Sequence, residues 1–424
     1  LKKATDLRGR APFYTYLGSG AGNGVFVELD DGSVKIDMIG GIGYTPFGHA
    51  HPELIRAAVM ASLEDNLKHG HLQSTKPLYE FSDTLLRLAK RKSRLEHVFV
   101  SAGGALANEN AIKICFQKHA PASRVIAFSH CFMGRTVTMS QLGDSAANRV
   151  GLPLSTLVDY MPFYDRAAAE KIGQQAVIDT ACDKLQEYID RYPRQHACFV
   201  FELVQGEGGF LTAPREFFVA LMTRCRENGV AVWADEIQTF GRTTEMFAFE
   251  MLDIGEHIDV LTVGKTTQAC ATLHTAEYMH KPGLLSGTFT GATPEFAVGR
   301  RILEMLEDSD IYGPQGTAEK HQKAFREQVE ALKAKHPDWF PDVPGFDSVA
   351  GGVGGMMRFT PFGGDKAKIG KSTKALFAEG LVTFYNGHGP FHLRFLPPLG
   401  VMKMEDWPKV FEIVERGLAK VAAG

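Results

Sequence analysis

The chain reads as an α/β protein: a mainly parallel sheet sandwiched by helices in a large domain, with a smaller α+β domain built from both chain ends. Three observations predict this. Short apolar runs rich in β-branched and aromatic residues recur through the middle of the chain, helical stretches separate them, and the patterns near the two ends differ from the middle. A strand that is apolar along its whole length is one covered on both faces, and helices between such strands make parallel crossovers.

The elements follow in order. Val25-Phe-Val-Glu-Leu and Ser33-Val-Lys-Ile-Asp flank an Asp30-Asp31-Gly32 turn, a hairpin signal that assigns the amino-terminal segment to a small sheet of its own. Helical patterns over Glu53 to Asp65 and Pro77 to Lys90 then alternate with apolar runs at His97-Val-Phe-Val-Ser, Arg124-Val-Ile-Ala-Phe, Ala197-Cys-Phe-Val-Phe-Glu, Val230-Ala-Val-Trp-Ala-Asp and Val260-Leu-Thr-Val-Gly. Beyond Arg300 come a long amphipathic segment, a Gly-rich stretch from Gly351 to Gly355, two further strand candidates and a closing helix from Glu405. The expected divisions are 1–52 for the first part of the small domain, 53–300 for the large domain and 301–424 for the rest of the small one.

Composition narrows the function classes. With 424 residues, 44% hydrophobic and 22% charged, the chain has the balance of a globular enzyme with a large core. Its 46 basic and 49 acidic residues are spread along the sequence, so no electrostatic footprint for nucleic acid or an anionic membrane is present and a small-molecule partner is expected. The six cysteines (Cys115, Cys131, Cys182, Cys198, Cys225, Cys270) form no CxxC and no Cys/His pair at zinc spacing; they read as buried thiols, and no metal is implied. The first ten residues are basic with no apolar run after them, and no stretch reaches the length of a membrane span, so the cytoplasm is the expected location.

In an open parallel sheet the ligand sits at the carboxyl ends of the strands, which directs attention to the polar residues after the apolar runs. Asp235 closes one run. An acid there must be paired, cap the next segment, or hold a cation such as a pyridinium nitrogen; Arg242 is the candidate structural partner. Lys265 follows another run, where a desolvated amine acquires the lowered pKa that Schiff-base chemistry needs, although a lysine after a strand, taken alone, reads as a solvated charge. Gly264-Lys265-Thr266 is not a nucleotide phosphate loop, because the glycine required five residues earlier is Asp259.

Ser101-Ala-Gly-Gly-Ala lies between a strand and a helix expected to begin near Asn108, and successive small residues there let backbone N–H groups close on a phosphate. His130-Cys-Phe-Met-Gly-Arg-Thr offers Phe132 to stack on a flat heterocycle and Arg135 to grip a carboxylate; the bland alternative is a core Phe beside a surface Arg. Glu202 and Glu207 follow a further strand, and Arg394 lies in the late apolar run Phe391-His-Leu-Arg-Phe-Leu-Pro-Pro-Leu, where a buried guanidinium needs an anionic partner.

In this order, from Gly48-His-Ala-His-Pro to the Arg394 segment, the motifs resemble the class III, or ω-amino acid, aminotransferases of pyridoxal phosphate (PLP) fold type I. The resemblance implies that Lys265 carries PLP as a Schiff base and moves the proton. It implies that Asp235 partners the pyridine nitrogen, Gln238 lies near the phenolic oxygen, Ile237 and Phe132 cover the ring faces, and Gly104 and Ala105 contact the phosphate. Met133 and Glu202 would border the cofactor, and Gly41 and Ile42 would join Arg135, Glu207 and Arg394 on the substrate side. Thr288, in Gly-Thr-Phe-Thr-Gly, would reach the phosphate of a neighbouring subunit, which implies a homodimer.

The resemblance also implies a movable Glu207–Arg394 pair that hides the guanidinium from an ω-amine donor and frees it for the α-carboxylate of 2-oxoglutarate. Arg135 would take the other carboxylate. Gly103-Gly-Ala-Leu-Ala-Asn-Glu-Asn-Ala and Gly264-Lys-Thr-Thr-Gln-Ala-Cys look most similar to lysine 6-aminotransferases, so the ε-amine of lysine is a candidate donor. Departures from the family pattern concentrate near the pocket: Met133 stands where His is common, Leu203 where Pro is, and Ala292 where Asn is frequent. The Gln238-Thr-Phe-Gly-Arg segment is one residue short.

Decarboxylases, aminomutases and racemases share this fold and lysine; the presence of both Glu207 and Arg394 favours transamination. A non-PLP nucleotide-binding α/β protein is the more distant reading. Gly40-Gly-Ile-Gly-Tyr-Thr lacks the full dinucleotide fingerprint and follows the hairpin instead of lying between a strand and helix of the main sheet.

Overall fold

The computed structural model describes residues 2–14, 17–64, 68–346 and 348–424. A seven-stranded sheet forms its centre, from His97–Ser101 (β1), Arg124–Phe128 (β2), Leu157–Met161 (β3), His196–Glu202 (β4), Ala231–Glu236 (β5), Val260–Val263 (β6) and Cys270–His274 (β7). The spatial order is β1-β7-β6-β5-β4-β2-β3. All neighbouring pairs are parallel except those of β7, which runs antiparallel to both β6 and β1. The expected mainly parallel α/β architecture is what forms, with this one reversed strand inserted.

The apolar runs are continuous because alternate residues enter two different cores. On β4, Phe199 and Phe201 point to one face with Ile126, Phe128, Val232 and Ala234. There they meet the helices Gln174–Arg191 and Arg215–Glu227 through Ile178, Leu185, Phe217, Phe218 and Leu221. Cys198 and Val200 point to the opposite face with Val125, Ala127, Ala231 and Trp233, against Ala111, Ile112 and Cys115 of the helix Gly104–Lys118. Period-two alternation thus sorts one strand between two helical layers, so its interior from Ala197 to Phe201 is apolar throughout.

The hairpin forms as expected, with Phe26–Leu29 antiparallel to Val34–Asp37. Its second strand pairs in parallel with Leu381–Val382 from the far end of the chain. A second four-stranded sheet comes from Ala350–Val353, Met356–Phe359, Phe384–Asn386 and His392–Phe395, covered by Lys366–Glu379 and the closing helix Asp406–Ala422. The long amphipathic segment is two helices, Thr293–Glu307 and Thr317–Lys335, separated at Gly313 and Gly316. The two early helices run Pro52–Ala61 and Lys76–Ala89, and Asp65, the expected end of the first, lies outside the described residues. All six cysteines are buried and free, and among the described residues no helix is long and apolar enough to cross a membrane.

Candidate active site

Four polar groups arrive at the carboxyl edge of the sheet by strand register. Asp235 of β5 pairs across to Glu202 of β4 and to Thr262 of β6. Their side chains share the face of Ala231 and Trp233, the one covered by Gly104–Lys118, because residues two apart on a strand point the same way. Lys265 begins the turn directly after β6 with a φ of 51°, a left-handed conformation that a non-glycine residue adopts only when its surroundings enforce it. Gln268, at the end of that turn, donates from Nε2 to the Tyr44 carbonyl (2.7 Å) and so ties the turn to the segment after the hairpin.

A cavity of about 470 Å³ opens there, walled by Lys265, Asp235, Glu202, Gln238, Ile237, Phe132, Met133, Gly104, Ala105, Glu207 and Arg135. An outer chamber of about 940 Å³, reaching the loop 384–394, shares Phe132, Arg135, Glu207, Gln238 and Lys265 with it and adds Ile42 and Arg394. Of the residues expected to touch cofactor or substrate, Gly41 and Thr288 stay outside both, as do Arg242, Leu203 and Ala292. Gly41 is exposed, with a φ of 59°, and a Cβ there would stand 1.9 Å from the Tyr44 ring. Thr288 is exposed on a loop whose backbone packs against Gly70.

Electrostatics follow from burial. Desolvation pushes the Lys265 ammonium below its usual range, opposed by the charges of Asp235 and Glu207. Burial likewise raises Asp235 to about 6, against the Ile237 N–H (2.9 Å), the Asn108 amide (2.8 Å) and the Lys265 charge, which favour the carboxylate. Glu202 is pushed to about 8 by burial and then by Asp235, although it accepts from the backbone N–H groups of Phe132 (3.1 Å) and Gly206 (3.2 Å). Arg242 is not the partner of Asp235. It is buried and donates from Nε to the Gly43 carbonyl (3.1 Å), because the chain bends away after Gln238.

At the rim, Arg394 is 1% exposed and its Nη1 lies 2.6 Å from Oε1 of Glu207, while its guanidinium carbon stands 5.2 Å above the Phe384 ring. Arg135 is exposed, 5.6 Å from the Phe132 ring centre. The helix expected near Asn108 begins at Gly104, with Gly103 as its extended N-cap. Ala105 therefore lies in the first turn, where free N–H groups project toward the cavity.

These walls fit PLP. A lysine amine and a buried acid border one cavity, Ile237 and Phe132 supply apolar surfaces, and a Cβ on Gly104 would press to 3.0 Å on Ile237 Cγ2 and narrow the cavity there. The buried Oε1 of Gln238 has no hydrogen-bond partner among the described residues and lies against Gly206, where a Cβ would stand 2.1 Å from it. The sequence reading passed over Asn108, Tyr44, Gln268 and Cys270, which also line the cavity. The available signal for Asn108 was a lone amide on a helical face otherwise built from Ala107, Ala111, Ile112 and Cys115.

Such a sheet with such a pocket defines a fold type I PLP enzyme, and comparison with known proteins agrees. The aminotransferase class-III family model matches residues 14–418. A probable 4-aminobutyrate aminotransferase of Bacillus subtilis is 31% identical over 66% of this chain and 66% of its own length. A 5-aminovalerate aminotransferase of Pseudomonas putida is 30% identical over 95% and 93%. The solved lysine aminotransferase of M. tuberculosis superposes with a TM-score of 0.86 over 99% of both chains at 23% identity, a likeness of fold. The chain belongs to the class III aminotransferases, PLP-dependent enzymes that transfer an amino group between an amino donor and a keto acid.

Proposed function

We propose that this chain transaminates an ω-amino donor, with the ε-amine of lysine as the leading candidate, against 2-oxoglutarate by a ping-pong mechanism. The observation that carries the reading is the closed Glu207–Arg394 pair at the rim of the chamber that Lys265 shares. A terminal amine donor presents no carboxylate near the reacting carbon, so an exposed guanidinium there is unfavourable; 2-oxoglutarate presents one and needs it. One carboxylate that swings serves both substrates. Arg135, exposed and lining both chambers, is the group we assign to a second carboxylate.

PLP, when bound, supplies an aldehyde carbon and an electron-withdrawing ring. In this reading the amine of Lys265, kept weakly basic by burial, binds the cofactor and then carries the proton between substrate carbon and cofactor. Asp235 would hold positive charge on the ring nitrogen, the Gln238 amide N–H group would donate to the phenolic oxygen, and Ile237 and Phe132 would cover the ring faces. Thr288, exposed and outside its own chain's cavity, is assigned to the phosphate of a second subunit in a homodimer. Lysine, ornithine, 4-aminobutyrate and 5-aminovalerate, each offered with 2-oxoglutarate, test the reading through glutamate release. Turnover of lysine above the others supports it; release only from α-amino donors overturns the ω-amine assignment.

A further inference from the structure

Asn108 is 1% exposed and lines the cavity. Its Nδ2 donates twice, to Oδ2 of Asp235 (2.8 Å) and to the carbonyl of Met133 (2.9 Å), while its Oδ1 has no hydrogen-bond partner among the described residues. The two acceptors fix which way the amide faces: turned over, its oxygen would oppose a carboxylate and a carbonyl at once. The next residue, Glu109, accepts from the Thr136 hydroxyl (2.5 Å). Adjacent positions on one helix therefore hold both ends of the Met133–Thr136 loop, whose neighbour Phe132 forms a wall of the cavity.

We propose that Asn108 is a positioning residue that keeps the Asp235 carboxylate ionised and aimed into the cavity, and sets the height of the Phe132 loop above the cofactor ring. The inference rests on the reading of this cavity as the cofactor site. The groups that face Asp235 explain why such a donor is required. Glu202, its partner on β4, is acidic and buried; Lys265 from the turn after β6 is the cation whose charge acts on it, with Arg135 farther along the same cavity wall; and the thiols of Cys131 and Cys270 are kept neutral by burial. Asp235 has two hydrogen bonds against this desolvation, and the side-chain one comes from Asn108. An aspartate at 108 would place a second carboxylate beside the first, and a leucine would keep the volume with no donor.

The test uses full-length protein freed of cofactor and retitrated with PLP across about pH 5.5 to about 9, comparing wild type with Asn108→Leu and Asn108→Ala. Both variants are expected to bind PLP roughly tenfold more weakly at neutral pH, and the acid-side loss of binding should move up by about one pH unit, as protonation of Asp235 becomes easier. Melting curves identify any variant that is unfolded, and Asn108→Leu, which preserves packing, then decides. Equal affinity in Asn108→Leu, or a uniform loss with no change in pH profile, overturns the proposal. If wild type itself fails to carry borohydride-trapped PLP on Lys265, the cofactor reading falls and this inference falls with it.

Discussion

Glu207→Ala is the perturbation that bears most directly on the dual-substrate mechanism. It removes the carboxylate 2.6 Å from Arg394 Nη1 and leaves a guanidinium that is 1% exposed, whose Nε has no hydrogen-bond partner among the described residues and whose carbon stands 5.2 Å from the Phe384 ring centre. Charge-assisted hydrogen bonds of this kind contribute about 1.5–3 kcal/mol, and removing one partner of a fully buried pair costs about 3–5 kcal/mol. Glu207 is 31% exposed, so water restores part of the loss and about 2 kcal/mol is the working figure. In the ω-amine half-reaction the apolar donor chain must close over this unpaired charge and strip its remaining water, a penalty made only in the occupied site, which predicts kcat/KM for lysine roughly 30-fold lower. In the glutamate and 2-oxoglutarate half-reaction the substrate carboxylate takes the vacated place, so kcat/KM changes by less than about threefold. Single-turnover absorbance changes of the loaded enzyme, with each substrate separately, measure the two numbers. Equal losses in both half-reactions would refute the gating argument; an unchanged lysine rate would show that the pair does not shield the donor.

Lys265→Ala should yield folded protein from which borohydride traps no cofactor, as read by peptide mass; a trapped adduct on another lysine sinks the assignment. Glu202→Gln should stabilise the cofactor-free protein relative to wild type, increasingly so as pH rises. The Glu202 pKa is raised from an ordinary 4.5 to about 8, so its contribution is intact below the ordinary value and is lost as pH climbs toward 8, where folding must bury a charge. Urea midpoints compared on either side of that window, with no growing gap between variant and wild type, would contradict it. Phe201→Ala removes a fully buried ring stacked 4.1 Å from Phe199 and should cost about 3–5 kcal/mol by denaturant titration. A cost below about 1 kcal/mol would mean that this core collapses around the void.

Legibility in the sequence followed how local each signal was. The five apolar runs became strands because a doubly covered strand is apolar at every position, a pattern that fits in a handful of residues. Two strands escaped that rule. Leu157–Met161 lies at the sheet edge and is only partly buried, and Cys270–His274 carries Thr272 and His274, whose polar groups are satisfied by the Ala107 and Thr275 carbonyls. The early start of the helix at Gly104 was hidden because Gly103 caps it by extended backbone, with no side-chain cap to read. Arg394 and Glu207 were each visible as charges in unusual surroundings, but 187 positions separate them and only the fold made them a pair.

By itself, the sequence determined the covered parallel sheet, the family and a set of candidate site residues, because strand ends, glycine turns and a lysine after an apolar run are local features. The tertiary structure decided which charges are buried together and how far each is shifted. Asp235 faces Glu202 through strand register, Arg394 reaches Glu207 across the rim, and Asn108 turns its amide toward an acid 127 positions away. Desolvation and hydrogen-bond geometry depend on what surrounds a group in space, and the chain sets those surroundings only when it closes on itself.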